Sequence, residues 1–228
     1  MYKDQSIPPV FCAETLRRMA AERFDPDGAA QVGRAIDIAV SVHFGQRRRS
    51  GGAVICHPLA VATILWELEA PKAPPGVIAA AVLHDTIEAS RERLTNRYID
   101  ECLLWDAFPR PLHVVPMVLA LTKPVLDTPD LSQQYNAIAD AALVEGMGWA
   151  PLIRAADVRH NMGTVDGVGE TNWAWRQGFI DKIWRHSLPW LQRIAGAVTP
   201  GLFGHYSRLL ENIEQELDCH VRETAVAS

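Results

Sequence analysis

The ten residues Ala79–Glu88 (AAAVLHDTIE) constrain the fold of this chain more than any other segment. An apolar run, typical of a buried helix, ends there in adjacent His84 and Asp85, and Glu88 follows one helical turn after the histidine. Burying these polar groups together is unfavourable unless each of them has a partner. A divalent metal ion is a suitable partner, because it binds neutral imidazole and carboxylate and leaves the glutamate for proton transfer. A polar cluster at a helix end is the alternative, so ligands elsewhere in the chain decide between the two.

Two residues far apart along the chain are candidates for further ligands. His57 lies in the first turn of a predicted helix. Asp157 lies within a predicted helix over Pro151–Thr164, where it shares one polar face with Asn161 and Thr164. The rest of that helix is apolar, so a carboxylate that faces the core needs a cation. Two histidines and two aspartates from separate helices suit Mn²⁺, Fe²⁺ or Zn²⁺. The predicted metal ligands are His57, His84, Asp85 and Asp157.

The remaining apolar pattern predicts an all-α fold, a single helical bundle with the metal site between helices. Apolar residues recur at helical spacing between prolines and glycines, and no segment alternates polar and apolar residues as a strand does. We predict an N-terminal extension over residues 1–28 and one helical domain over residues 29–222. Four tryptophans in a predicted helix over residues 171–196 are interpreted as side chains that pack in the core or between helices, without a catalytic role. They are Trp173, Trp175, Trp184 and Trp190.

Composition argues against several classes of function. The chain has 228 residues, and no apolar run approaches the ~20 residues that a membrane-spanning helix needs. Residues 1–9 lack the apolar core of a secretory signal, and the scattered cysteines are typical of free thiols in a reducing compartment. A formal net charge of −5 disfavours general nucleic-acid binding but is compatible with a small phosphorylated ligand. We expect a cytoplasmic protein that binds neither nucleic acid nor membranes.

The order of the candidate ligands, H…HD…D, is the signature of the HD phosphohydrolase superfamily, and neighbouring motifs extend the match. The chain resembles the hydrolase domain of the RelA/SpoT alarmone enzymes over roughly residues 31–165. Since no synthetase half follows, we expect it to be similar to the stand-alone small alarmone hydrolases, and the helical bundle to be an HD domain. The matching segments are HFGQ at 43–46, RRSG at 48–51, HPLAVA at 57–62, AVLHDTIE at 81–88, and a block over 152–164 that contains Asp157, His160, Asn161, Met162 and Thr164.

The resemblance implies a role for each matching position. The four predicted ligands would hold one Mn²⁺ ion, and Glu88 would orient or deprotonate the attacking water. Arg48 would lie against the guanine ring, a contact that is also physically favourable for a guanidinium group. The implied substrate is a guanine nucleotide, ppGpp or pppGpp, whose 3′-pyrophosphate is hydrolysed to give GDP or GTP and pyrophosphate. The residues implied to hold ribose or phosphate are Arg49, Ser50, Asn161 and Thr164.

Several positions depart from the family pattern. Ala89 replaces a second acid that usually follows the glutamate, which would lower activity if both carboxylates position the water. Gly52-Ala53-Val54 replaces the usual Glu-Pro-Tyr near the nucleobase, and Val158 and Gly163 replace basic residues of the late block. The nearby cations that could compensate are Arg47, Arg154 and Arg159.

These departures keep two alternatives open beside alarmone hydrolysis. The altered segment at residues 52–54 is compatible with the same chemistry on another phosphorylated nucleotide, such as the 2′-phosphate of NADPH. Ala89 is compatible with a protein that binds metal and nucleotide and senses the nucleotide rather than cleaving it. The ligand types also leave Zn²⁺ or Fe²⁺ open in place of Mn²⁺.

Overall fold

The computed structural model describes residues 9–48, 51–68, 72–91, 99–108, 113–123, 132–144, 147–165 and 173–226. Within these ranges the regular secondary structure is helical, with one isolated bridge between Arg47 and Ala53 and no strand. The predicted all-α fold is therefore confirmed.

Twelve α-helices occur within the described ranges, and several of their boundaries coincide with the prolines and glycines of the sequence. They are α1 (Pro9–Arg23), α2 (Pro26–Val42), α3 (Cys56–Trp66), α4 (Pro75–Leu83), α5 (Thr86–Arg91), α6 (Glu101–Ala107), α7 (Val114–Leu121), α8 (Ser132–Ala142), α9 (Ala150–Thr164), α10 (Trp173–Lys182), α11 (Leu188–Ile194) and α12 (Pro200–Val226). A π-helical turn (Ile183–Ser187) joins α10 to α11, and a 3₁₀ turn (Ala195–Ala197) follows α11.

The two ends of α2 show how local chemistry sets a helix boundary. The Asp25 side chain accepts a hydrogen bond of 2.8 Å from the backbone N–H of Gly28, and Pro26 occupies the first turn. Beyond the other end, Gly45 adopts a φ of 75°, a left-handed conformation that glycine tolerates best. The chain then enters the loop that carries Arg48.

Helix α4 lies at the centre of the core. Every residue from Val77 to Leu83 is buried, so this helix is apolar on all sides and must be surrounded by others. It packs most extensively against α2 and also against α3, which in turn packs against α9. Small buried side chains on α2, Ala35 and Ala39, suit a close approach of the helices. This packing brings the start of α3, the end of α4 and the middle of α9 together.

The first helix contributes to the same core. Leu16 and Ala20 of α1 are buried within the hydrophobic cluster that includes α2 and α4, and α1 packs against α2 and α3. The division into an N-terminal extension over residues 1–28 and a domain over 29–222 stays a prediction.

The chain leaves the helix directly after Leu83, which corrects the sequence analysis. We expected His84 and Glu88 to share one helical face, but α4 ends at Leu83 and α5 begins at Thr86. Side chains engage the carbonyls near the break: His84 Nδ1 lies 2.8 Å from the Ala81 carbonyl oxygen, and the Thr86 hydroxyl donates to the Leu83 carbonyl at 2.7 Å. Such local side-chain bonds compete with continuation of the helix. The helix is therefore interrupted between His84 and Glu88.

The tryptophans of the segment over residues 171–196 differ in their environments. Trp190 stacks on the buried Tyr135, with ring centroids 5.4 Å apart and planes 2° from parallel, as expected of a packing residue. Trp184 is instead 49% exposed.

None of the described helices has the length and apolar character needed to cross a membrane. The cysteines are all free thiols: Cys12, Cys56, Cys102 and Cys219.

Replacing Ala39 by leucine tests the close packing of α2 on α4. Ala39 is fully buried, so the larger side chain should destabilise the protein by about 1–3 kcal/mol through overpacking. Ala30→Leu is the matched control, because Ala30 is exposed on the same helix. Urea unfolding should give a lower midpoint for Ala39→Leu than for Ala30→Leu, and equal midpoints would contradict the close packing.

Candidate metal centre

Two imidazole and two carboxylate side chains, from α3, the break after α4 and α9, meet at one place. Ligand atoms of His57 (α3), His84 (end of α4) and Asp157 (α9) all lie within 4.8 Å of one another, and the three side chains are buried. Asp85 joins them, with Oδ1 3.2 Å from His84 Nε2 and Oδ2 3.5 Å from His57 Nε2. The structure therefore brings together all four residues that the sequence analysis named as metal ligands.

The His84 ring presents one nitrogen to this group. Its Nδ1 lies 2.8 Å from the Ala81 carbonyl oxygen, a contact in which Nδ1 must carry the proton. Its Nε2 is buried without a hydrogen-bond partner among the described residues, and it faces the carboxylates of Asp85 and Asp157. This orphaned nitrogen, together with a second imidazole and two carboxylates, is a donor set that fits a divalent first-row metal ion.

The electrostatic balance of the group also favours a cation. Burial disfavours a charged imidazole, but the negative charges of Asp85 and Asp157 outweigh it and raise the pKa of His84 to about 9. Burial likewise opposes ionisation of Asp85, but His84 and then His57 hold the pKa of that carboxyl well below its usual range. The two carboxylates therefore remain ionised, and binding of a metal ion would release the proton from His84.

Asp157 is held by three neighbours. Arg154 Nη1 donates to its Oδ2 at 2.6 Å, Asn161 Nδ2 donates to its Oδ1 at 2.6 Å, and His57 Nε2 lies 3.0 Å from Oδ1. Burial opposes ionisation, but Arg154 and then His57 and His84 lower the pKa of Asp157. Arg154 was a candidate for phosphate binding in the sequence analysis, and the structure pairs its guanidinium group with this carboxylate.

His160, to which the sequence analysis gave no role, orients His57. The Nδ1 atoms of the two rings are 2.8 Å apart, and Arg48 Nη1 lies 3.4 Å from the same His160 nitrogen. Burial, followed by the proximity of His57 and Arg48, lowers the pKa of His160 to about 2, so the ring is neutral. A neutral His160 accepts a hydrogen bond from the Nδ1–H of His57, which leaves His57 Nε2 directed at the carboxylates. Hydrogen bonds of this kind fix the tautomer of a metal-binding histidine.

Two of the predicted substrate-binding residues contact each other. Arg48 Nη2 donates to Asn161 Oδ1 at 2.5 Å, so the Asn161 amide links Arg48 to Asp157. The Thr164 hydroxyl donates to the His160 carbonyl at 2.9 Å. Arg48, Asn161 and Thr164 line one cavity next to the metal ligands. The two predicted substrate-binding residues that fall outside the described ranges are Arg49 and Ser50.

Glu88 is bound by Lys123, another residue that the sequence analysis left without a role. Its Oε1 accepts a hydrogen bond of 2.6 Å from the Lys123 backbone N–H, and its Oε2 accepts one of 2.5 Å from the Lys123 ammonium group. Burial opposes the charge of Lys123, but Glu88 and Asp85 outweigh it and raise the pKa of this lysine. Glu88 is thus anchored beside the cavity, which Lys123 lines. Its role in activating water stays a prediction.

A cavity of about 340 Å³ includes His57, Asp85 and Asp157 in its lining. Helix α10 contributes two aromatic side chains and a lysine that the sequence analysis did not include in the site. Trp175 packs against the hydrophobic core, as the sequence predicts, and it also lines this cavity. An aromatic pair at a spacing of four residues, followed by a lysine, is the sequence signal that indicates this lining. The α10 lining consists of Trp175, Phe179 and Lys182.

The other two arginines that could compensate for missing basic residues lie outside this lining. Arg47 donates to the Gly51 carbonyl at 2.9 Å. Arg159 lines a different cavity, together with Arg208 and His205. Among the described residues, neither takes part in the walls of the cavity at the metal ligands.

The chain is similar in sequence to part of several longer proteins named GTP pyrophosphokinase or GTP diphosphokinase. It is 35% identical over 138 residues to a GTP pyrophosphokinase of Streptomyces coelicolor, a match that covers 59% of this chain and 15% of the relative. It is 32% identical over 152 residues to a GTP pyrophosphokinase of Myxococcus xanthus, covering 64% of this chain and 18% of the relative. A putative chloroplastic GTP diphosphokinase of Arabidopsis thaliana is 47% identical over 147 residues, covering 59% of this chain and 15% of the relative.

The matched region is thus less than a fifth of the length of these relatives. No protein-family model matches the chain. Among solved structures, it is similar to a metazoan orthologue of SpoT that hydrolyses ppGpp, with a TM-score of 0.52 and 19% sequence identity. That match covers 86% of this chain and 96% of the other, and it shows a shared helical fold.

Removing the His84 imidazole tests the metal centre independently of any substrate. The wild-type protein should carry about one equivalent of a divalent ion, and His84→Ala should lower metal affinity by tenfold or more, roughly the effect of perturbing a metal-binding shell. His186→Ala is the control, because His186 is exposed on the π-helical turn. Elemental analysis after dialysis measures the content, and equal metal in His84→Ala and wild type would contradict this assignment.

Proposed function

We propose that this chain belongs to the RelA/SpoT family of alarmone enzymes and hydrolyses the 3′-pyrophosphate of ppGpp or pppGpp. The observation that carries the proposal is the group of buried His57, His84 and Asp157, joined by the partly exposed Asp85, beside a cavity lined by cations. The relatives named GTP pyrophosphokinase and the fold shared with a SpoT orthologue that hydrolyses ppGpp support a place in ppGpp metabolism.

This chain matches only one part of its relatives, and the fold of that part favours hydrolysis over pyrophosphate transfer. Their names describe whole proteins, of which the match covers 15–18%. The fold of the matched part is that of a ppGpp hydrolase structure. A buried donor set of imidazoles and carboxylates also suits metal-assisted attack of water on phosphorus.

Separate residues of the site would hold the metal ion, accept the proton and bind the nucleotide. A bound divalent ion, held by His57, His84, Asp85 and Asp157, would supply Lewis-acid chemistry that acidifies water and offsets phosphoryl charge. Water adds to the phosphorus attached to the ribose 3′-oxygen, the bond between that phosphorus and the 3′-oxygen breaks, and the oxygen takes up a proton. The products are GDP or GTP and pyrophosphate. Mn²⁺ is the proposed ion.

Glu88 is the proposed proton acceptor for the attacking water. Its carboxylate is oriented by two hydrogen bonds from Lys123, which places a fixed negative charge at the edge of the cavity. Arg48, linked to Asn161, would contact the guanine, and Thr164 would contact ribose or phosphate.

Turnover of ppGpp is the direct test. Purified protein with Mn²⁺ should release equal amounts of GDP and pyrophosphate from ppGpp, measured by ion-exchange chromatography. NADPH and pppGpp assayed in parallel decide whether another phosphorylated nucleotide is preferred. Release of phosphate from NADPH with no product from ppGpp would replace the proposed substrate, and no turnover of any nucleotide would overturn the proposal of a hydrolase.

Glu88→Gln tests the proposed proton acceptor. The amide keeps the size of the side chain but cannot take a proton, so kcat should fall by about 10²-fold while metal content is unchanged. Glu211→Gln, an exposed position on α12, is the matched control. A Glu88→Gln enzyme as fast as wild type would exclude this residue as the base.

A nucleotide sensor without turnover is the second candidate function, and one observation favours it. Both oxygens of Glu88 are occupied by Lys123, and the next residue, Ala89, provides no second carboxylate. If Ala89 limits the chemistry, Ala89→Asp should raise the rate of ppGpp hydrolysis by tenfold or more, within the usual range for an added acid–base group. Brisk turnover by the wild type, unchanged in Ala89→Asp, would exclude the sensor.

A further inference from the structure

Four cations line the cavity at the metal ligands, and three of them are bonded to other protein groups. Arg48 donates to Asn161, Arg154 to Asp157, and Lys123 to Glu88. The fourth, Lys182, has no hydrogen bond or ion pair within the part of the chain that the structure describes. Partial desolvation, followed by repulsion from Lys123 and Arg154, lowers the pKa of Lys182, while the more weakly acting Asp157 and Glu88 oppose this shift. An anion placed in the cavity would therefore meet one cation that is not engaged in a hydrogen bond or ion pair with a described residue.

Two aromatic rings stand on the same helix as this lysine. Trp175 and Phe179 are one helical turn apart on α10, with ring centroids 5.2 Å apart and planes 19° from parallel. Both are half-buried and line the cavity. The π-helical turn that follows contributes Ile183 and Ser187 to the same lining, and such turns are frequent at binding sites. An apolar, aromatic surface beside an available ammonium group matches a nucleotide, which joins a flat base to charged phosphates.

We propose that α10 binds the nucleotide at this site: Trp175 and Phe179 pack against the nucleobase, and Lys182 binds the 5′-phosphates. The identity of the base as guanine rests on the proposed function. Lys182 is exposed while the metal ligands His57 and His84 are buried, so the lysine is placed for phosphates that do not reach the metal centre. This assigns substrate recognition to a helix outside the motifs at residues 31–165.

The proposal also accounts for the altered loop. Gly52-Ala53-Val54 supplies neither an aromatic ring nor a charge, and Val54 is the residue of this segment that lines the cavity. Trp175 provides an aromatic surface and Lys182 a charge on another wall of the same cavity. Recognition of base and phosphate is therefore retained in this chain through different residues.

Binding of GDP and of guanosine, measured by calorimetry on the metal-loaded protein, separates the two parts of the proposal. Lys182→Gln should weaken GDP binding by about tenfold and leave guanosine binding within about threefold, because only GDP carries the phosphates. Lys182→Arg should restore most of the GDP affinity. Trp175→Leu should weaken both ligands to a similar extent, about tenfold, because both carry the base.

Two exposed neighbours on the π-helical turn serve as controls, and neither lines the cavity. Arg185→Gln and Trp184→Leu should bind GDP within about twofold of wild type. Wild-type affinity for GDP in both Lys182→Gln and Trp175→Leu would overturn the proposal, as would a wild-type protein that binds no GDP. Because this titration needs no turnover, it is independent of the ppGpp assay. Failure of that assay alone would remove the hydrolase function and leave the recognition surface standing.

Discussion

The carboxylate of Asp157, buried among imidazole rings, is the constraint on which the rest of the structure depends. An ionised carboxylate in a protein core is strongly unfavourable unless its oxygens are satisfied. Arg154 occupies one oxygen, and Asn161 and His57 approach the other. These contacts require α9 to face the start of α3, and the apolar α4 fills the space behind them. The contacts of Asp157 therefore account for the convergence of the candidate ligands, while burial of the apolar α4 accounts for the packing of the central helices.

The candidate ligands could be predicted from the sequence because each interrupts a local pattern. His84 ends an apolar run and Asp157 lies inside an apolar helix, and both interruptions are visible without knowing the fold. The contact between Glu88 and Lys123 could not be predicted, because it joins positions 35 residues apart across a break in the helix. That Trp175 also lines a cavity could not be predicted, since an aromatic ring at helical spacing looks the same in sequence whether or not it reaches a cavity.

The candidate metal ligands of this chain match the family pattern, but several residues around them depart from it. Its similarity to GTP pyrophosphokinases covers 59–64% of the chain, and the ligands lie within the motifs that carry the family resemblance. The cavity walls include Val54 of the segment at residues 52–54, and α10 contributes aromatic rings and an ammonium group. The candidate metal ligands and the aromatic lining of the cavity therefore lie on different elements.

The break after Leu83 has a consequence for how two adjacent candidate ligands are held. Because α4 and α5 are separate helices, the His84 imidazole is held by its contact with the Ala81 carbonyl on the α4 side of the break. The Asp85 carbonyl instead accepts a hydrogen bond of 3.0 Å from the Ala89 N–H on the α5 side, a bond that a side-chain substitution at position 89 would keep. The two adjacent candidate ligands are therefore supported from opposite helices, so a shift of either helix alone would alter the distance between them.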